Sequence, residues 1–267
     1  MIRRIIRWLA ASAVADLVLN LHHLPETITA VVGDGGDLGV RVRYSWERPT
    51  LLGSGGGPRL ALPLVGEDPF LIVNGDTLTD VSLPGLAEAH AQSGALVTLA
   101  LVPNREFDRY GGVHVDDAGR VTGFVPRGPA AEGSYHYIGV QIAAAEVFSA
   151  IAPGAVARTI GGVYDALMTS RPGAVRGYVT DAEFWDVGTV ADYWRTSCAF
   201  EARGLGVPPH RRRAPRVDPT ARVVGSILWD GVEIGPDAVV EACIVTDGVH
   251  IPAAATHRDE ILTSTAP

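Results

Sequence analysis

An apolar run, Phe70-Leu71-Ile72-Val73, ends abruptly in Asn74-Gly75-Asp76-Thr77. Consecutive apolar residues bounded by turn formers describe a short strand buried on both faces, as in a parallel sheet covered by helices. Its carboxyl end carries an acid to the rim of the sheet, where open α/β sheets bind their ligands. About a hundred residues later, Glu183-Phe184-Trp185-Asp186-Val187-Gly188-Thr189 makes a second apolar approach to an acid and a glycine. Two carboxylates delivered from two strand ends, Asp76 and Asp186, suit one hard cation such as Mg²⁺. A third stretch, Leu51-Leu52-Gly53-Ser54-Gly55-Gly56-Gly57-Pro58, offers backbone almost free of side chains beside them. Metal-binding acids and a glycine-rich segment on one sheet point to a phosphorylated substrate.

The surrounding pattern supplies the sheet. Ile2, Ile5, Ile6 and Leu9 recur at helical spacing and predict an amphipathic helix over 2–14, although Arg3, Arg4 and Arg7 ahead of an apolar run also mimic a signal peptide. Strands are expected at 17–21, 40–44, 70–74 and 95–102. Helices are expected at 25–33, 57–64 and 83–93, the last capped by Ser82 with Pro84 in its first turn. This βαβα order implies a mostly parallel sheet with helices on both faces. Residues 110–141 read differently, as a hairpin turning at Asp117-Ala118-Gly119 and a returning strand from Tyr135 to Ile142.

Residues 205–216 read as a linker, marked by Pro208-Pro209, Pro215 and Arg211-Arg212-Arg213. Beyond it, Val217, Val223, Leu228, Ile234, Val240, Val245 and Ile251 recur every five or six positions. That spacing is the signature of a left-handed β-helix built from hexapeptides, about two coils long.

Bulk properties narrow the function. The 267-residue chain carries a net charge of -8, which disfavours nonspecific nucleic-acid binding. Two cysteines, Cys198 and Cys243, give neither a disulfide framework nor a metal-binding pair, consistent with a reducing cytoplasm. No stretch has the roughly 18 uninterrupted apolar residues of a membrane span. His22 and His23 are adjacent on a strand end and so point apart, which separates them as ligands of a single ion.

Asn74-Gly75-Asp76-Thr77-Leu78-Thr79-Asp80, Trp185-Asp186-Val187-Gly188-Thr189 with Tyr193 following, Leu51 to Pro58, and Tyr110-Gly111-Gly112-Val113 fall in the order and spacing of the sugar-phosphate nucleotidyltransferases. The resemblance covers roughly residues 1–200, and the tail resembles the hexapeptide extension that many members carry. It implies a Rossmann-like α/β nucleotidyltransferase domain over 1–204, the linker at 205–216 and a β-helical tail over 217–267. It implies nucleotidyl transfer from a nucleoside triphosphate to a sugar 1-phosphate, with GTP and mannose 1-phosphate as the first pair, and Mg²⁺ held by Asp76 and Asp186. Gly53, Ser54, Gly55 and Gly56 correspond to the segment against the nucleobase or ribose, and Glu47 matches an acid that precedes it. Asn74, Gly75, Gly112, Arg127 and Gly139 correspond to substrate-binding positions. Residues 217–251 of the tail are expected to associate with another copy or with the nucleotidyltransferase domain.

The chain also departs from the family pattern. Val125-Pro126-Arg127-Gly128-Pro129 stands where Glu-Lys-Pro is common, and Tyr137-Ile138-Gly139 stands where Asn-Ala-Gly is common. The family's opening strand, its glycine-rich loop with Arg, and its Pro-Lys pair have no counterpart, and the chain contains no Lys, all 22 basic residues being Arg. The opening helix therefore resembles the family's first or second, as an internal Met taken for the start would give. These departures leave a second reading, a noncatalytic sugar-nucleotide-binding regulatory subunit or an inactive fragment, and imply little or no nucleotidyl transfer by residues 1–267 alone.

Overall fold

The computed structural model describes residues 1–205 and 213–264. Most of the expected linker, including Arg211 and Arg212, lies outside the described residues. The chain divides into two compact units, Met1–Asp186 and Val187–Pro267.

The first unit opens with α1 (Ile2–Ala11), β1 (Asp16–Leu21), α2 (Pro25–Val32), β2 (Arg41–Trp46) and α3 (Gly53–Val65). Then come β3 (Phe70–Val73), β4 (Thr77–Thr79), α4 (Leu83–Ser93), β5 (Val97–Pro103) and the hairpin strands β6 (Gly112–Val115) and β7 (Val121–Val125). The unit closes with β8 (Tyr135–Ala143), α5 (Ala145–Ser149), α6 (Tyr164–Ser170), β9 (Val175–Val179) and β10 (Phe184–Asp186). The local signals act as written. The Ser82 hydroxyl caps α4 by accepting from the Gly85 N–H at 3.2 Å. Asp116 closes the β6–β7 turn, accepting from the Ala118 and Arg120 N–H groups.

The main sheet has six strands, with β5 parallel to β9 and β8 antiparallel to both β3 and β5. The sequence announces β3 and β5, which share a direction with β9, but announces neither β9 nor the antiparallel course of β8 between β3 and β5. The hairpin widens the sheet through β6. Strands β1 and β2 form a separate parallel pair.

Two apolar layers sandwich the main sheet, and residue alternation assigns each side chain to one of them. Ala100 and Val102 of β5 join Ile5, Ile6 and Leu9 of α1, Leu17 of β1 and Leu86 of α4, with Leu71 and Val73 of β3 packed against them. Val97, Leu99 and Leu101 of β5 join Phe148 and Tyr164 on the opposite face, against Phe70 and Ile72. The first helix is thus a core element, as its amphipathic spacing predicts. Strands β1 and β3 share one apolar layer without being hydrogen-bonded to each other.

The glycine-rich segment corrects one expectation. It is the first turn and a half of α3 itself, beginning at Gly53, where the sequence suggests a loop followed by a helix from 57. Glycine is a poor helix former, so tertiary contact fixes the conformation. A Cβ on Gly56 would lie 2.5 Å from the Ala155 carbonyl oxygen, and one on Gly53 would lie 2.7 Å from that of Ala157.

In the second unit, α7 (Val190–Ala202) precedes nine short strands among the described residues. These are β11 (Arg216–Val217), β12 (Arg222–Val224), β13 (Ile227–Leu228), β14 (Glu233–Ile234), β15 (Val239–Glu241), β16 (Ile244–Val245), β17 (His250–Ile251), β18 (Thr256–Arg258) and β19 (Ile261–Leu262). They form three parallel three-stranded sheets, β11-β14-β17, β12-β15-β18 and β13-β16-β19. Each aliphatic residue of the expected repeat falls on its own strand, and Ile234, Val240, Val245 and Ile251 are buried together with Val232 and Cys243. The ladders extend through a third coil, one more than the sequence suggests, because β18 and β19 complete it. Left-handed backbone recurs at Gly225, Ala242 and Asp259, and again at Asp237 and Ala254, marking equivalent corners. Helix α7 is fastened to the coil by the Trp194 indole N–H, which donates to the Gly225 carbonyl at 2.7 Å.

Candidate active site

Both candidate metal ligands belong to one local structure. Strand β10 pairs antiparallel with β4, setting Asp186 opposite Thr77. Asp76 immediately precedes Thr77 in the turn after β3, so the two acids leave the chain at neighbouring positions of one ladder. Asp76 is exposed and Asp186 is half-buried. Asp80 holds this ladder together, its carboxylate accepting from the Glu183 N–H at 2.8 Å.

Gly139 explains how the turn is held. Its φ is +77°. It lies in the irregular segment of β8 where the register with β5 slips. The Asn74 N–H donates to the Gly139 carbonyl at 2.8 Å. A Cβ on Gly139 would come within 2.8 Å of the Thr77 hydroxyl oxygen and 2.9 Å of the Asn74 side chain. Gly139 and Asn74 therefore build the acid-bearing turn, and Gly75 is exposed within it.

Arg109 approaches Asp186, with Nη2 3.6 Å from Oδ2, and Glu106 at 3.7 Å from its Nη1. The guanidinium lies 4.9 Å from the Tyr110 ring centre. Tyr110 in turn stacks on His136 at 4.2 Å, and His136 lies 5.0 Å from Phe184 of β10. Burial pushes the His136 imidazole below its ordinary value, opposed by its hydrogen bond to the Gly111 backbone and by the Asp186 and Glu106 carboxylates. Arg109 and His136 are site residues that the sequence analysis did not select. Position beside the Tyr110-Gly111-Gly112 motif was the available signal for Arg109.

Gly112 is buried in β6, and a Cβ there would meet the Ser134 hydroxyl oxygen at 2.2 Å. Its side-chain-free face is thus taken by the protein, whereas Gly111 beside it is exposed. Arg127 is exposed just past β7, its backbone nitrogen 3.9 Å from where a Gly111 Cβ would stand. Tyr137, in the Asn-like position, buries its hydroxyl without a hydrogen-bond partner among the described residues. Burial, Tyr164 and the Asp76 charge push that phenol well above its ordinary value.

Glu47 is the organising residue of the glycine-rich turn. It is only 3% exposed. Its carboxylate accepts from the Asn20 amide at the end of β1 and from the Leu52 N–H at the head of α3. Gly57 permits this approach, since a Cβ there would lie 2.6 Å from Glu47 Oε1. The Gly55 N–H donates to the Ala157 carbonyl, and the Ser54 hydroxyl accepts from the Thr159 N–H at 3.0 Å. Gly53, Ser54, Gly55 and Gly56 thereby lock α3 to the 155–159 segment.

Mg²⁺ fits this chemistry. Among the described residues no three His, Cys, Asp or Glu side chains gather as a metal cluster. A pair of carboxylates completed by water and substrate phosphate oxygens is, however, the ordinary way of holding Mg²⁺. Also among the described residues, no helix is long and apolar enough to cross a membrane.

The nucleotidyl transferase family model matches residues 1–203. The chain is 29% identical over 256 residues to a mannose-1-phosphate guanylyltransferase of Mycobacterium tuberculosis, covering 92% of this chain and 70% of that protein. It is 29% identical to a UTP–glucose-1-phosphate uridylyltransferase of Synechocystis, of which it spans 64%. It is 32% identical over 187 residues to a D-glycero-alpha-D-manno-heptose 1-phosphate guanylyltransferase of Aneurinibacillus thermoaerophilus, covering 70% of this chain and 78% of that one. The crystal structure of HddC from Yersinia pseudotuberculosis complexed with GMP-PN superposes with a TM-score of 0.63 at 20% identity, over 73% of this chain and 82% of that one. A match over three quarters of its length settles its kinship: the chain belongs to the nucleotidyl transferase family.

Proposed function

We propose that this chain transfers a nucleotidyl group from a nucleoside triphosphate to a sugar 1-phosphate, with GTP and mannose 1-phosphate as the first pair to test. The observation that carries the reading is the β4–β10 ladder, which sets Asp186 beside the turn bearing Asp76. A phosphate oxygen of the sugar 1-phosphate bonds to the α-phosphorus of the triphosphate, the bond to the β-phosphate bridging oxygen breaks, and pyrophosphate leaves with that electron pair. Asp76 and Asp186 are the residues that would hold the cation. Mg²⁺, when bound, supplies charge stabilisation to the phosphate oxygens. The protein's remaining task is positioning. The exposed Gly111 and Arg127 border the sugar side, and Glu47 fixes the start of α3 on the nucleotide side.

The test is pyrophosphate release by residues 1–267 with Mg²⁺, GTP and mannose 1-phosphate, alongside calorimetric titration of each ligand. Asp76→Asn and Asp186→Asn each should lower turnover by about 10²–10³, the scale for losing one preorganised stabiliser of developing charge. Turnover unchanged in both variants would refute the assignment. Binding without turnover in the wild type would favour the noncatalytic sugar-nucleotide-binding reading.

A further inference from the structure

We propose that the three-ring cluster of Tyr110, His136 and Phe184 is the clasp of this site, with His136 as a positioning residue that holds the Gly111 turn and the Asp186 strand at once; this deepens the proposed function and rests on it. Among the described residues, β4 and β10 form a two-stranded sheet of their own. On the Asp76 side that ribbon is tied to β8 by the bond from the Asn74 N–H to the Gly139 carbonyl. On the Asp186 side the tie is aromatic. Residues two apart on a strand face the same way, so Phe184 and Asp186 project together from β10. The Phe184 ring centre lies 5.0 Å from that of His136, on β8, and 5.7 Å from that of Tyr110. Tyr110 and His136 stack at 4.2 Å, which closes the triangle.

His136 has a second attachment, a hydrogen bond from its imidazole to the Gly111 backbone. The Asn104 amide nitrogen also reaches this turn, 3.3 Å from the Tyr110 carbonyl oxygen and 3.4 Å from that of Gly111. Both distances exceed the ordinary hydrogen-bond range, so Asn104 alone sets the turn weakly. One imidazole therefore serves two neighbours by two different means. It gives a polar bond to the exposed Gly111 turn on the sugar side, and a ring to Phe184, two residues from Asp186. Chemistry can separate the two. A phenyl ring at position 136 keeps the aromatic contact and loses the hydrogen bond, whereas an amide keeps a donor and loses the ring.

The test is calorimetric binding of mannose 1-phosphate and glucose 1-phosphate at saturating Mg²⁺, paired with electron paramagnetic resonance titration of Mn²⁺ without sugar phosphate. The proteins are wild type, His136→Ala, His136→Phe, and His136→Asn and His136→Gln, whose amides match the reach of the two ring nitrogens. His136→Ala should weaken Mn²⁺ and the sugar phosphate that binds wild type by about 3- to 10-fold each, the worth of one aromatic contact and one hydrogen bond. His136→Phe should restore Mn²⁺ affinity but not sugar-phosphate affinity, and the better of the two amide variants should do the reverse. Phe184→Leu keeps an apolar side chain against its core layer. It should weaken Mn²⁺ by a similar factor and leave the sugar phosphate within about twofold. Circular dichroism melting establishes that each variant is folded. Both affinities within about twofold of wild type in His136→Ala, or unchanged Mn²⁺ affinity in Phe184→Leu, overturns the inference while leaving the proposed function standing. Rescue of both affinities, or of neither, by the phenyl and amide variants alike overturns it too, since His136 then has no divided role. A wild type that binds no Mn²⁺, or neither sugar phosphate, defeats the proposed function, and the inference with it.

Discussion

Replacing Gly139 by alanine tests whether the acid-bearing turn is held by β8. Two costs combine at this position. An L-residue with φ near +77° is strained by roughly 1–2 kcal/mol. The new Cβ would also meet the Thr77 and Asn74 side chains at 2.8 and 2.9 Å, and overpacking of this kind costs about 1–3 kcal/mol. The reduced freedom of the unfolded chain returns about 0.4–1 kcal/mol. A net loss of roughly 2–4 kcal/mol follows, against the ~5–15 kcal/mol that stabilises a typical domain. Gly133 supplies the control. Its φ is +72°, and nothing lies within 4 Å of where its Cβ would stand. Gly133→Ala should therefore show the backbone cost alone, about 1 kcal/mol or less. Urea denaturation of both variants isolates the steric part as a difference, and Mn²⁺ titration reports whether Asp76 has moved. Equal destabilisation of the two variants would show that Asn74 and Thr77 yield freely, and that Gly139 does not position the turn.

Three further outcomes are expected. Glu47→Ala leaves the Asn20 amide and the Leu52 N–H without their buried acceptor and should cost about 2–4 kcal/mol in denaturation, whereas a loss below about 0.5 kcal/mol would show that the carboxylate is not organising α3. Burial holds the His90 imidazole below its ordinary value of 6.5, so its folded form binds fewer protons than the unfolded chain; stability should be full above about pH 6.5 and fall as pH drops towards the lower folded value, and His90→Gln should flatten that part of the pH–melting curve. Light scattering should give a mass above that of one chain, through residues 217–267; a monodisperse monomer at every concentration tested would exclude the tail as an assembly device.

The backbone framework was legible where one signal sufficed. Ser82 and Pro84 fix the start of α4, Asp116 to Gly119 fix a hairpin turn, and a five-or-six-residue aliphatic spacing fixes every strand of the first two coils. The antiparallel course of β8 was not legible, because an apolar strand reads alike in either direction. The glycine-rich segment reads as open backbone, yet its conformation depends on Ala155 and Ala157, a hundred residues distant. Of the site, the two acids stood out because each follows an apolar approach and adjoins a glycine. Arg109 and His136 did not, since an Arg among acids and a His within a strand are ordinary until Asp186 and Phe184 are seen beside them. Resemblance singles out Gly139, but its reason, a turn packed against its missing side chain, exists only in three dimensions.

The ladders of the tail carry a constraint on how such a chain can vary in length. Arg216, Glu233 and His250 lie side by side, as do Val224, Glu241 and Arg258, each triplet in steps of 17 residues. One residue gained or lost between two strands of a coil would throw three ladders out of register together and turn the buried aliphatic residues beyond it outward. Insertions tolerated within the stack are therefore confined to bulges at corners, or come as whole coils, each adding about 4.8 Å to the stack. The tail grows and shrinks by quanta, and its height is a count of rungs.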